Sequence, residues 1–440
     1  MFNSKITEKF IHKRITNFFD ECNIFGKQQF GFRKNSNTTS AIINILTRIQ
    51  EAIDSGFFCA VVFLDLSKAF DTVEHEILLD KLYKLGIRGS THELFQSYLN
   101  NRSQIVQINS TQSDVMFNKT GLPQGNILSP TLYNVYSKDI DELALKGYLQ
   151  TFADDKASIY ISKSYDDLFG DMQHDLNILG DWLYNNSLTA NASKTKYMVF
   201  SDKKSIINTN HNLTLNNQKI DPVNTYKYLG LHLQSNLKWN DHIQHISRKV
   251  SSLLGPLIKC SYVLPQSTRL KLYYSYVYPH LTLYNEIWCD GKNNSNYLFQ
   301  HVKKIQNKFI RTIYKEKYFF NNVNKNGEKI VHTIDLYKQH KILTLREINK
   351  NQNALIAHRI LFKSINIDVS YKKNTQVHSH NTRNAKNIHL FKINTNKLKN
   401  GFMFRSANIH NSLPNDLKNI PNQTEFKIKL KNYIMNSGVT

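Results

Sequence analysis

The sequence predicts an α+β protein, because helical and strand-like hydrophobic periods alternate along its first half and only the helical one persists along its second. Helical spacing dominates the start. Ile6, Phe10, Ile11, Ile15 and Phe18 or Phe19 recur as one apolar stripe, and Ile42, Ile45, Leu46 and Ile49 share a face of a helix over 38–53. The period then changes. Residues 59–64, CAVVFL, form a continuous apolar run rich in Val and Phe, which reads as a strand buried on both faces with Asp65 at its end. Helical spacing returns over 71–86 through Ile77, Leu78, Leu82 and Leu85 and stops at Gly86, a good C-terminal cap. At 150–161, QTFADDKASIYI sets apolar flanks around Asp154, Asp155 and Lys156, so it reads as a hairpin with carboxylates at its tip. Between these lies GLPQGNILSP at 121–130, punctuated by Gly121, Pro123, Gly125 and Pro130 and followed by a helix-compatible stretch.

Beyond about residue 231 three stripes suggest a small helical bundle. They run Ile243, Ile246, Val250, Leu253, Leu257; then Leu270, Tyr274, Val277, Leu281, Tyr284, Trp288; then Leu298, Val302, Ile305, Phe309, Ile313. Lys303, Lys304, Lys308 and Arg311 lie off the third apolar face, where they suit either a solvated surface or a phosphate track.

A chain of 440 residues has room for two or three domains. Lys and Arg number 57 against 34 Asp and Glu, a formal charge of +23, which makes nucleic acid the default partner. Residues 331–440 carry 18 of those bases and 5 of the acids, although a Lys- and Asn-rich composition bias produces such an excess too. Cys22, Cys59, Cys260 and Cys289 lie far apart with no CxxC pair, so neither a disulfide framework nor a zinc knuckle is signalled. The longest apolar run, FFCAVVFL at 57–64, is well short of the roughly 18 residues a bilayer requires. Lys5, Glu8, Lys9, Lys13, Arg14 and Asp20 break up any secretory signal, so an intracellular protein of the nucleus or cytoplasm is expected.

The chemistry points to Asp65 at a strand end and Asp154-Asp155 at a hairpin tip. Phosphoryl transfer between nucleotides uses two hard cations about 3.5–4 Å apart, and carboxylates are the ligands Mg²⁺ prefers. Singly, each has a plainer reading: Asp65 as a helix cap, Asp154-Asp155 as a turn pair.

Further wording surrounds them. FLDLSKAFDTVEHEILLDKL (63–82), GLPQGNILSP, FADD (152–155), WLYNNSLTANASKTKYMVF (182–200) and YKYLGLHLQSNLKWNDHI (226–243) stand in the order and spacing of a reverse transcriptase. With QFGFRKNSNTTSAI (29–42) upstream and RSANIHNSLPNDLKNIPNQTEFKIKLKNYI (405–434) at the end, the chain resembles the reverse transcriptases of jockey-type non-LTR retrotransposons over nearly its whole length. The resemblance implies a right-hand polymerase: fingers and palm over 1–231, a helical thumb over 232–330 and a basic region over 331–440. It implies two Mg²⁺ on Asp65, Asp154 and Asp155, and Phe70 as the steric gate that selects deoxynucleotides. Gln124 and Gly125 match residues lining the nucleotide and template pocket, and Arg33 matches a fingers residue that meets the triphosphate. Lys194, in an NxxKT segment, matches a proton donor to departing pyrophosphate. The implied partners are an RNA template, a DNA primer, deoxynucleoside triphosphates and an endonuclease domain elsewhere in the element.

The departures are specific. The family's fingers begin earlier, with an RPI-type motif, so the chain reads as N-terminally truncated. Asn126 replaces the usual Ser after PQG, and TLYNVY at 131–136 is less apolar than the family wording. Lys156 follows FADD where a small or uncharged residue is usual; it would either compete with Mg²⁺ or project into solvent or toward primer phosphates. The alternative reading is therefore a decayed, inactive remnant that only binds nucleic acid. An RNA-dependent RNA polymerase is disfavoured by the aromatic gate and by ADD in place of GDD.

Overall fold

The computed structural model describes residues 2–200, 211–289, 297–315, 333–377, 384–390 and 392–437. Its core element is the strand Phe58–Leu64, which is buried on both faces as its unbroken apolar run requires. This strand pairs antiparallel with Asp155–Ser162 on one side and with Lys196–Phe200 on the other. The full sheet has six strands in the order Tyr148–Phe152, Asp155–Ser162, Phe58–Leu64, Lys196–Phe200, Gln218–Pro222, Leu213–Leu215. Every pairing is antiparallel except the short one between Lys196–Phe200 and Gln218–Pro222.

Helices cover the sheet. Thr38–Asp54 starts at Asn37, whose Oδ1 accepts from the Ser40 N–H at 2.8 Å while Ser40 Oγ accepts from the Asn37 N–H at 3.0 Å, a reciprocal cap. Tyr165–Asn185 starts at Ser164 and lays Leu168, Met172, Leu176, Leu179 and Leu183 into the same core as Ala60, Val62 and Leu64. The helix expected over 71–86 runs from His75 to Lys84, with Gly86 at φ +98° just beyond. In the first helix, Phe2–Glu21, Ile15 and Phe19 reach the core, but Ile6 and Phe10 stay exposed, so the apolar stripe drawn from residue 6 is buried only at its C-terminal half.

The chain divides into two compact units, Met1–Asn224 with Asn366–Asp368, and Thr225–Ile365 with Val369–Thr440. The 330/331 limit drawn from charge lies outside the described residues. In the second unit the hairpin Thr225–Tyr228/Leu231–Gln234 precedes helices Asn240–Cys260 and Tyr297–Tyr314, which carry the first and third stripes. The second stripe is not one helix. It is divided into Gln266–Leu272, a π turn at Tyr273–Val277, Tyr278–Thr282 and Asn285–Trp288. Pro279 cannot donate to a preceding turn, and Tyr284 takes a left-handed φ of +53°, so apolar spacing continues where the backbone ladder does not.

The basic region is woven into this unit rather than appended to it. Arg405 donates to the carbonyls of Cys289 (2.7 Å), Glu286 (2.5 Å) and Ile287 (3.0 Å), satisfying the end of Asn285–Trp288. Asn349 donates to Asn285 O at 2.9 Å and Cys289 O at 2.5 Å. Arg311, grouped with the surface lysines by spacing, is buried, and its Nε donates to Thr333 Oγ1 at 2.8 Å. All four cysteines are free, and among the described residues no helix is long and apolar enough to cross a membrane.

Candidate active site

Strand register brings the carboxylates together. Phe58–Leu64 pairs with Asp155–Ser162 from Phe58↔Ser162 to Leu64↔Lys156, which leaves Asp65 just past the end of one strand and Asp155 at the start of the other, near enough for their charges to interact. The neighbouring strand pairs Phe152 with Asp155, which leaves a two-residue turn, Ala153-Asp154, at the hairpin tip. Ala153 sits there at φ +55°, a left-handed conformation that costs a non-glycine residue about 1–2 kcal/mol.

The backbone of Asp65 is held from the far side. Its N–H donates to Thr195 Oγ1 at 3.3 Å, and its carbonyl accepts from the Asn191 N–H at 2.8 Å. Asp65 Oδ2 is buried without a hydrogen-bond partner, and Lys194 Nζ stands 3.8 Å away. Desolvation raises the Asp65 pKa, Lys194 opposes that rise, and Asp154 adds to it. Asp155 is solvent-exposed, yet desolvation, then Asp154, then Asp65 push its pKa up to about 6. Among the described residues no three ligating side chains close on a single point, so the carboxylates meet through their fields rather than as a finished cage. The donor set still fits Mg²⁺: oxygen only and mutually repelling, with the buried Asp65 Oδ2 held only by the ion pair to Lys194.

Among the described residues no hydrogen bond or ion pair joins Phe70, Gln124, Gly125 or Arg33 to the three carboxylates. Phe70 is half-buried and stacks on Tyr133 with ring centroids 4.6 Å apart. Gln124 is exposed and donates to Asp71 Oδ1 at 2.9 Å, adjacent to Phe70 in sequence. Gly125 has φ +79° and open space where a Cβ would stand; at Gly121 (φ +90°) a Cβ would lie 2.9 Å from Asp71 O. Arg33 is committed to its own loop, donating to Gly26 O at 2.5 Å and lying 5.8 Å from the Phe25 ring centroid. Desolvation lowers its pKa while Asp20 and Asp141, not the carboxylate centre, hold it up.

Lys156 does not project into solvent. It is 1 % exposed, its Nζ donates to Ala153 O at 3.3 Å and lies 5.6 Å from the Tyr133 ring centroid. Desolvation lowers its pKa to about 8, against opposition from Asp154, Asp155 and Asp141. Extended-strand alternation does not relate Lys156 to Asp154, because Asp154 lies in the two-residue turn and the strand begins at Asp155. Asn126, the departure after PQG, donates to Tyr98 OH at 3.0 Å, and the next N–H, of Ile127, donates to the buried Glu8 at 3.1 Å.

Residues 1–233 match the model of the family "Reverse transcriptase (RNA-dependent DNA polymerase)". The chain belongs to the reverse transcriptase family. The chain is 26% identical over 370 residues to the probable RNA-directed DNA polymerase from transposon BS of Drosophila melanogaster, covering 81% of this chain and 40% of that protein. It is 29% identical over 273 residues to the RNA-directed DNA polymerase from mobile element jockey of the same fly, covering 58% of this chain and 29% of that one. It thus spans well under half the length of these curated relatives. Among solved structures, apo telomerase from Candida tropicalis aligns at 11% identity and a TM-score of 0.40, covering 71% of this chain and 50% of that one, too distant to carry weight.

Two contributors escape sequence reasoning. Gln29 and Gly31, in QFGFR, touch the back of the Ala153-Asp154 turn; sequence singles out only Arg33 there, because nothing local marks a contact made across 120 residues of chain or more.

Proposed function

We propose that this chain is the polymerase segment of a non-LTR retrotransposon reverse transcriptase, an RNA-directed DNA polymerase that extends a primer 3′-hydroxyl with deoxynucleotides. The observation that supports it most is the strand register that ends at Leu64↔Lys156, with Asp65 following one strand, Asp155 opening the other and Asp154 in the turn. Residues 1–231 then serve as fingers and palm, 232–330 as thumb, and 331–440 as a basic region that helps hold the thumb together. Asp65, Asp154 and Asp155 would hold two Mg²⁺, which supply the lowered hydroxyl pKa and the triphosphate charge neutralisation that this reaction needs. The chain's own residues do the rest. Phe70, stacked on Tyr133, would stand against the sugar and exclude a 2′-hydroxyl. Gln124 and Gly125 line the nucleotide and template pocket. Lys194 is poised to pass a proton to pyrophosphate, and Arg33 meets the triphosphate once it releases Gly26 O. The template is RNA, the primer DNA, the endonuclease is supplied elsewhere in the element, and the setting is intracellular.

The test is primer extension on an RNA template by the wild type and by the double variant Asp154→Asn, Asp155→Asn, with circular dichroism as the folding control. The expected result is extension by the wild type alone. Equal extension by both removes the carboxylates from catalysis. A well-folded wild type that binds primer-template but never extends it supports the remnant reading instead.

A further inference from the structure

The hairpin tip does not hold itself. Tight two-residue hairpin turns favour Asn-Gly or a leading glycine, whereas this one uses Ala153-Asp154 with Ala153 in a left-handed conformation. Its stabilisation comes from residues 28–31. The Phe30 N–H donates to Thr151 O at 2.8 Å and the Thr151 N–H to Gln28 O at 3.0 Å, an extra strand-like rung on the hairpin. Gln29 is 4 % exposed, and its Oε1 accepts from the Gly31 N–H at 2.8 Å and from the Ala153 N–H at 3.3 Å. Gly31 lies so close that a Cβ there would stand 2.4 Å from Ala153 N and 2.9 Å from Phe152 C, both backbone atoms. Asn134 Nδ2 fixes Gly31 in turn through its carbonyl at 2.9 Å. Ala153 is thus tied at its N–H by Gln29 and at its carbonyl by Lys156.

We propose that Gln29 and Gly31 are positioning residues that fix the Ala153-Asp154 turn and so set the metal affinity of the Asp154/Asp155 pair. The proposal rests on the polymerase reading above. Gln29 acts as an acceptor, so its role is separable from its volume: Gln29→Met keeps the shape and removes the acceptor, while Gln29→Glu keeps both.

The experiment titrates the full chain with Mn²⁺, following free Mn²⁺ by electron paramagnetic resonance, alongside thermal unfolding and primer extension. Gln29→Met is expected to weaken Mn²⁺ binding by about tenfold or more, the usual effect of losing an outer-shell partner, with little change in unfolding midpoint. Gln29→Glu is expected to restore most of that affinity, and Gly31→Ala to lose it. Wild-type affinity in Gln29→Met, while Asp154→Asn, Asp155→Asn abolishes binding, overturns the proposal and leaves the polymerase reading standing. Equal loss in Gln29→Met and Gln29→Glu, in step with lost stability, overturns it as well. A wild type that neither binds Mn²⁺ nor extends primers overturns the polymerase reading and this proposal with it.

Discussion

At Lys156 a four-carbon stem and an ammonium are enclosed beneath the hairpin, with the Tyr133 ring nearby and the Ala153 carbonyl as acceptor. Its replacement is therefore a packing change before it is a charge change. Lys156→Ala should cost about 2–5 kcal/mol in urea unfolding, as other large-to-small core substitutions do, and Lys156→Met distinctly less because the stem volume is kept. The Mg²⁺ concentration for half-maximal extension should move little in Lys156→Met; a marked fall would return the lysine to competition with the metal. Phe70→Val should raise ribonucleotide incorporation relative to deoxynucleotide, and unchanged discrimination would make Phe70 a packing residue for Tyr133. Asp65, Asp154 and Asp155 are legible in the sequence because a strand end and a hairpin turn are local patterns. The burial of Lys156 and the contact from Gln29 are not, since both depend on which distant backbone meets Ala153.

Among the elements, Asn285–Trp288 is a single helical turn carrying a buried acid. Desolvation raises the Glu286 pKa to about 7, with Arg405 opposing. The folded pKa lies above the ordinary glutamate value, so this group's contribution is fully present below about pH 4.5 and is lost as pH rises through 7. His242 has the opposite sign: burial lowers its pKa to about 3, so stability is lost as pH falls from 6.5 toward 3. Between about pH 4.5 and 6.5 the two slopes oppose each other, so Glu286→Gln should leave only the His242 slope and make thermal midpoints rise with pH across that window more steeply than in the wild type. An unchanged slope there would mean that Glu286 does not govern it. The broken second stripe shows the limit of periodicity here. Leu281 and Tyr284 are buried as their spacing predicts, but spacing does not register the π turn at Tyr273–Val277 or the left-handed Tyr284 that interrupt the ladder.

For the whole molecule, net charge is legible in the sequence and its distribution is not. A surplus of +23 predicts salt-dependent binding to nucleic acid, yet Arg311 and Arg405 are spent on internal hydrogen bonds. The exposed Lys303, Lys304 and Lys308 remain on the helix Tyr297–Tyr314. Changing these three to Gln should lower the logarithmic salt slope on duplex by up to about 0.9 for each phosphate they contact, and an unchanged slope would leave them as solvated surface. Deleting 331–440 is a poor test of the same idea. Gln306 donates to Leu343 O at 3.1 Å and Tyr337 OH donates to Asn307 at 3.0 Å, so the deletion strips the core of the second unit. Its expected outcome is loss of cooperative unfolding there rather than a clean change in affinity.

The short segment Asn366–Asp368 belongs to the first unit although 225–365 intervene. Asn366 donates to Asn35 O at 2.7 Å, and Asp368 receives both Arg48 at 3.1 Å and the Tyr148 hydroxyl. On the ribosome, where synthesis proceeds at about 5–20 residues per second, Asp368 follows residue 224 by many seconds. Until it emerges, Arg48 and Tyr148 of the first unit lack their carboxylate, and that contact is the last of the unit to form.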